Sequence, residues 1–391
     1  MGGVPAFSPG DPRIDLPRPP GLVWPQVRLL SPIALAAVLL AAVPAPHTLK
    51  NVTPGERLAY LERARIWQPV DVPSMDVRRG PSIDGAFTPM QEVTCRYDDK
   101  KMGGTTPKFA CVIPPHDTVK VRYRLSNGKV YAAVAATRLF WALGFVTDAE
   151  YPVRVTCLDC PEDAWSHKEP RLPQVVFERA VVERHTDVEM AVAGKESQWG
   201  WDELKLVDET QGGSSAAQVD AARLLAAFVQ HTDNKATNQH LGCERDAVRK
   251  DEAGNETCAA PLLVVSDLGN TFGHGSWLHA RTVGSGNYHE WSTHPIWKDP
   301  ARCQADLPAN FTRPTLKNPV ISEAGRKFLA DLMVQLTEDQ IRGLFEVSDL
   351  PDRGWSDEKD RKRNGTADEW VAAFHARRDQ IVNHTCPAAA H

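Results

Sequence analysis

Hydrophobic and polar positions along the chain follow two rhythms. Over 118–123, Val119, Val121 and Tyr123 alternate with Lys120 and Arg122, the period-two pattern of a half-buried strand. Residues 91–97 and 109–113 read as two more strands, separated by Met102-Gly103-Gly104-Thr105-Thr106-Pro107-Lys108. Residues 153–155 and 175–182 predict further strands that complete a small sheet. Between them, 130–145 is rich in Ala, Leu and aromatics and predicts a buried helix ended by Gly144. After Gly212-Gly213-Ser214-Ser215 the rhythm changes. Val219, Ala222, Leu225, Ala226 and Val229 recur at helical spacing, so 216–230 predicts a helix with one core face, opened by Ser215 with Gln218 three residues on. Residues 261–266 form a continuous apolar run that reads as a buried strand ending at Asp267. Three more helices are expected over 322–336, 337–347 and 366–384, and a peripheral one over 54–66.

At the end of the 216–230 helix stands His231-Thr232-Asp233-Asn234-Lys235-Ala236-Thr237-Asn238, and at the end of the 261–266 strand stands Asp267-Leu268-Gly269. The two stretches resemble the catalytic loop of the protein kinase superfamily, H-x-D-x-K-x-x-N, and its metal-binding D-F-G, here D-L-G. The resemblance covers roughly 90–275 by order of elements. Residue by residue it rests on His231, Asp233, Lys235, Asn238, Asp267 and Gly269. It implies an α+β, bilobal protein-kinase-like fold, with a small β-rich N-lobe over 86–185 and a mostly helical C-lobe over 186–391. A peripheral helix and linker over 46–85 would precede them.

The resemblance also assigns roles. Phosphoryl transfer needs a carboxylate on the acceptor hydroxyl, metal ligands on the phosphates and cations around the moving group. Asp233 would orient the hydroxyl and Lys235 would touch the γ-phosphate. Asn238 and Asp267 would hold Mg2+ or Mn2+. Lys120 would bind the α- and β-phosphates of ATP, with Lys108 as its competitor. Gly103, Gly104, Thr105 and Thr106 would cover the phosphates, although the turn does not match G-x-G-x-x-G. The family pairs its strand lysine with a helix Glu. Here no Asp or Glu lies between Asp117 and Asp148, and Ala132 and Ala133 stand at that place. Glu150, Glu178 or Glu183 is left to pair with Lys120, or the lysine is held differently. Arg122 and Arg124 share the strand face of Lys120, so a solvated basic edge is the competing reading. No A-P-E follows, so the usual protein-substrate platform is not evident. The segment around Asn270-Thr271-Phe272, flanked by Gly269 and Gly273, suits a mobile activation-like loop. The overall pattern is similar to atypical kinase-like proteins of bacteria and to exported, disulfide-bonded kinases of secretory compartments.

Composition narrows the setting. The 391 residues carry a formal net charge of −5, with 42% apolar and 24% charged residues. That is ordinary for a globular chain, and it excludes the strongly basic footprint of a nucleic-acid binder. Three arginines against two aspartates give the first 45 residues +1, so the remainder stands near −6. Residues 33–43 are apolar, follow Arg28 and precede Pro44-Ala45. They are too short to span a bilayer and fit a signal-peptide core. The long Pro-rich start predicts translation from nearer Val27. The expectation is an exported protein, periplasmic or extracellular, anchored where the leader stays uncleaved and otherwise without a stable transmembrane span.

Eight cysteines in an exported chain read as disulfides. Local spacing suggests Cys95–Cys111, Cys157–Cys160, Cys243–Cys258 and Cys303–Cys386. Cys157-Leu-Asp-Cys160 also admits a redox role, and a thiol–disulfide protein is one alternative function. A non-catalytic kinase-fold scaffold is another. The leading expectation is a phosphotransferase moving the γ-phosphate of ATP to an unknown hydroxyl on a protein, sugar or lipid. A periplasm holds little ATP, so activity there requires a nucleotide source or another donor. His274, His279, His289 and His294 show no metal-ligand spacing and read as substrate-facing loop or surface, and 357–363 reads as a solvated charged turn.

Overall fold

The computed structural model of the chain describes residues 49, 51–104, 106–124, 127–167, 170–185, 188–190, 197–273, 285–308, 313–352 and 364–387. The expected leader (1–45), Thr105, His274, His279 and the charged turn at 357–363 lie outside the described residues. Within them the chain is of mixed α+β class.

The five strands near the N-terminus are β1 (Gln91–Asp98), β2 (Lys108–Ile113), β3 (Asp117–Tyr123), β4 (Ala149–Pro161) and β5 (Arg171–Arg184). They pair in the order β1-β2-β3-β5-β4. The expected small sheet closes on itself, because β4 also pairs with β1 in parallel, from Gln91 opposite Val153 to Arg96 opposite Leu158. Length permits this. β4 has 13 residues and β5 has 14, enough to reach both neighbours, and a register shift between Val153 and Val155 adds the local twist that curls the sheet. Alternation then fills the interior. Val93, Cys95 and Tyr97 point inward from β1 and meet Phe109, Val121, Val155 and Val182.

Helix α1 (Pro54–Glu62) starts where Thr53 and Glu56 form a capping box, and it stops short of the expected 66. The cause is competition from a strand. Arg65 donates its N–H to the Pro261 carbonyl at 3.0 Å and accepts from Leu263 at 2.9 Å, which draws Arg65 into a bridge with Leu262 in place of a further helical turn. Helix α2 (Gly128–Ala142) is buried on nearly every side, as its uniformly apolar sequence requires. It ends at Gly144, whose φ of 82° and closeness to the Gln68 carbonyl (2.3 Å from a Cβ placed there) exclude a side chain. Helix α3 (Ala216–Phe228) carries the expected Ser215–Gln218 capping box and lies along α5 (Glu323–Met333). Short α4 (Tyr288–Thr293), α6 (Glu338–Ser348) and α7 (Ala367–Val382) complete the described helices. Phe228, Phe272, Trp291, Phe345, Trp370 and Phe374 pack edge and face between them. Trp199 and Trp201 are fully buried, which suits packing rather than a ligand cage.

A second sheet carries the two motif-bearing segments. Strands β6 (Val188–Met190), β7 (Gln239–Glu244) and β10 (Pro261–Val265) pair antiparallel in the order β10-β7-β6. Between β7 and β10 lies the small hairpin β8 (Val248–Lys250) and β9 (Glu256–Cys258). All four expected disulfides form. Cys243–Cys258 closes this excursion over 15 residues. Replacing both of its cysteines with serine is expected to cost roughly 3 kcal/mol in a urea titration, the loop-closure entropy of a ring that size. The Cys157 and Cys160 sulfurs are bonded and both residues fully buried, so the accessible dithiol that a redox function needs is not there. Among the described residues no helix is long and apolar enough to cross a membrane.

Candidate active site

The chain turns sharply after α3. Gln230 takes a φ of 56°, and His231 donates its N–H to the Ala226 carbonyl at 2.7 Å. Burial pushes the His231 imidazole down to about 4, so it stays neutral and serves as packing under the loop. Asn234, fully buried, fixes the next step. Its amide donates to the His231 carbonyl at 2.9 Å and accepts from the Leu316 N–H at 2.8 Å. The Thr315 hydroxyl holds the Asn234 carbonyl at 2.6 Å. A loop of several polar residues is thereby anchored on two sides and presents Asp233 in one orientation.

The Asp233 carboxylate receives two partners. Lys235 Nζ lies 3.1 Å from Oδ1, and Asn270 Nδ2 donates to Oδ2 at 3.0 Å. Asn238 donates its side-chain amide to the Asp233 carbonyl at 2.6 Å, and its own carbonyl accepts from Ser266 N–H at 3.0 Å. The last bond joins the two motifs, because Ser266 immediately precedes Asp267. Asp267 itself adopts a φ of 48°, the left-handed region, at a cost of roughly 1 kcal/mol for a side chain. It bends the chain away from β10 toward the start of α2, where a Cβ on Gly269 would stand 3.3 Å from the Lys129 carbonyl. The following residues are pinned rather than loose. Phe272 donates to the Val229 carbonyl at 2.7 Å and Thr271 is fully buried, which corrects the expected mobile segment over 270–272.

The barrel supplies the opposing charges. Pairing of β3 with β5 puts Lys120 opposite Glu183, and their side chains form an ion pair. Glu183 is therefore the partner that the helix does not provide. Glu178 is exposed and bound to Arg154 at 2.6 Å. Arg122 is not on a solvated edge. It is buried, with Nη1 on Glu150 and Nη2 reaching Glu183 at 2.7 Å and Asp267 at 3.3 Å. The Asp267 carboxyl is opposed by burial, but Arg122 and Lys120 outweigh it and hold its pKa below the usual carboxylate range. Glu150 and Glu183 share one guanidinium. Burial, together with the Glu183 charge, pushes Glu150 up, whereas Glu183, with Arg122 and Lys120 both beside it, is held down.

Lys108 and Lys129 approach the same place. Burial lowers the Lys129 pKa while the charges of Asp267 and Asp233 oppose the shift, which puts this lysine near both motif carboxylates. Burial and the Arg122 charge lower Lys108, and Asp267 opposes. Lys108 folds back over Gly104, where a Cβ would lie 2.9 Å from Nζ. Gly104 has a φ of 94°, a conformation that calls for glycine. Gly103 faces open space and Thr106 is half-buried in the same turn.

Of the residues expected from sequence, Asp233, Lys235, Asn238, Asp267, Lys120 and Lys108 thus gather around one cluster of opposed charges. Glu150, one of the three carboxylates offered to Lys120, stands beside it on Arg122, and Arg122, Lys129 and Asn270 join it without having been expected. Asn270 had one signal, its place directly after D-L-G. Lys129 had another, a lone cation opening an apolar helix. Of the two described loop histidines, His289 is exposed and His294 sits 3.3 Å from Asp306 and 3.7 Å from Glu290.

No model of a known protein family matches the chain, and no curated protein matches it. Among solved structures it is similar to a proinflammatory kinase of Helicobacter pylori, CtkA, at 10% identity and a TM-score of 0.40, over 75% of this chain and 96% of that one. At that level of likeness neither fold nor activity passes from that protein to this chain.

Proposed function

We propose that the chain is an exported, kinase-like phosphotransferase that moves the γ-phosphate of ATP to a hydroxyl acceptor. The observation that carries this reading is the gathering of Asp233, Asn238 and Asp267 from two separate motifs beside the Lys120–Glu183 ion pair. In it the barrel belongs to an N-lobe over 86–185 and the helices to a C-lobe over 186–391. Asp233, steadied by Lys235 and Asn270, orients the acceptor hydroxyl and takes its proton. Lys235 touches the γ-phosphate. Lys120 binds the α- and β-phosphates, with Lys108 beside it and the Gly103–Gly104 turn above. Asn238 and Asp267 offer the oxygen donors that Mg2+ or Mn2+ prefers, and the ion, when bound, offsets phosphate charge. The absence of a helix glutamate counts less against catalysis once Glu183 fills that place. Four disulfides support export. The acceptor is a protein, sugar or lipid hydroxyl.

A second reading, a non-catalytic scaffold of the same fold, draws on the Arg122–Asp267 contact, which occupies one carboxylate oxygen that a metal would use. Thermal melting separates the two. ATP with Mg2+ or Mn2+ at 100 times its Kd is expected to stabilise the protein by about 2.7 kcal/mol, and the metal-dependent part is expected to vanish in Asp267→Ala. No response to any nucleotide would reject the phosphotransferase and leave the scaffold.

A further inference from the structure

Behind the phosphate-binding charges, the same strands carry a second cluster that the proposed reaction does not use. β4 and β5 pair with Glu150 opposite Glu183 and Ala149 opposite Arg184. Continuing that register brings Asp148 to His185, whose Nδ1 lies 3.3 Å from Asp148 Oδ1. From the second sheet, His240 of β7 points its Nε2 at the same oxygen from 4.0 Å. All three donor atoms lie within 4.8 Å of one another.

Two features separate this cluster from an ordinary ion pair. His240 Nε2 is buried and has no hydrogen-bond partner among the described residues, although a buried ring nitrogen ordinarily finds one. Its other nitrogen is tied. Ser266 Oγ lies 2.9 Å from His240 Nδ1. With Nδ1 donating to that hydroxyl, Nε2 keeps a lone pair on the side of Asp148. A bond to the far nitrogen that fixes tautomer and ring orientation is the usual support of a metal-bound imidazole.

We infer that Asp148 Oδ1, His185 Nδ1 and His240 Nε2 form a site for a divalent transition metal of the zinc type, distinct from the phosphate-bound Mg2+ or Mn2+. Two imidazoles and one carboxylate are borderline donors, which suit Zn2+ or Co2+ better than Mg2+. Donors at about 2.0–2.2 Å from a tetrahedral ion stand roughly 3.3–3.5 Å apart. The Asp148–His185 spacing already meets that, and the His240–Asp148 spacing needs a small closing movement. His185 is exposed, so the fourth position opens to solvent.

Co2+ is the probe. The chelator-stripped, nucleotide-free full chain is expected to bind one equivalent, with the visible absorption of a tetrahedral centre. His185→Ala, at an exposed position, is expected to remove that absorption and weaken binding at least about 100-fold. Ser266→Ala, which takes away the hydroxyl bonded to His240 Nδ1, is expected to weaken it about 10- to 100-fold. Asp267→Ala is expected to leave it unchanged. No stoichiometric Co2+ in the wild type, unchanged binding in His185→Ala, or binding lost only in Asp267→Ala would each overturn the site, and leave Asp148 and His185 as an ion pair.

Discussion

Asp233→Asn is expected to slow ATP turnover by about 10²- to 10⁴-fold while the ATP-dependent rise in melting temperature persists. Asparagine keeps the size of the side chain and an oxygen for Asn270, which donates to Oδ2 at 3.0 Å. It loses the charge that Lys235 meets at 3.1 Å and the capacity to accept a proton. The loop itself survives, because it is anchored elsewhere. Asn234 bonds to His231 and Leu316, and Asn238 holds the Asp233 carbonyl rather than its carboxylate. The variant therefore separates chemistry from binding, which Asp267→Ala does not. Release of phosphate to water is the assay, since it requires no knowledge of the acceptor. Turnover equal to wild type would remove Asp233 from the role of base and reject the assignment built on its motif.

Much of this site was legible in the chain because its parts are local. Ser215 and Gln218 announce the start of α3, the apolar spacing gives its buried face, and the motif follows at its end. The run 261–265 announces a buried strand, and Asp267 follows two residues later. The four disulfides were legible for the same reason, since three of them join cysteines no more than 16 residues apart. What local pattern conceals is what distant strands do to one another. Arg122 reads as a solvated edge residue because Lys120, Arg122 and Arg124 fall on one strand face. It is buried because β5, about 60 residues on, lays Glu183 beside it and β4 adds Glu150. Closure of the barrel depends on β1 meeting β4, a pairing no turn signals. The Asp148, His185 and His240 cluster has the same origin, with each member on a separate strand or strand end.

Arg122→Met is expected to cost about 3–5 kcal/mol of folding free energy, the range found when one member of a buried charged group is removed and the others stay. The guanidinium touches Glu150 and Glu183, both buried, and extends to Asp267. Methionine fills much of the volume, so the loss falls on the charges rather than on a cavity. The stranded carboxylates can relieve themselves only by taking up protons. A carboxyl whose folded pKa is raised is stabilising below its unfolded pKa, and that contribution is lost as pH rises through the folded value. Glu150 is already raised by burial and by Glu183, and without Arg122 it moves further up while Glu183 loses the charge that holds it down. The penalty should therefore be larger at about pH 8 than at about pH 5, as read from urea titrations at the two pH values. Adding Glu150→Gln should recover part of the loss at the higher pH, because it removes one of the unpaired charges. An Arg122→Met penalty independent of pH would mean that packing, not charge, sets the role of Arg122. The same variant bears on the scaffold reading. If Arg122 competes with metal for Asp267, the folded fraction of Arg122→Met should bind Mn2+ with ATP more tightly than wild type. If Arg122 instead holds Asp267 in place for the metal, binding should weaken, and the buried guanidinium becomes a positioning residue of the phosphotransfer site.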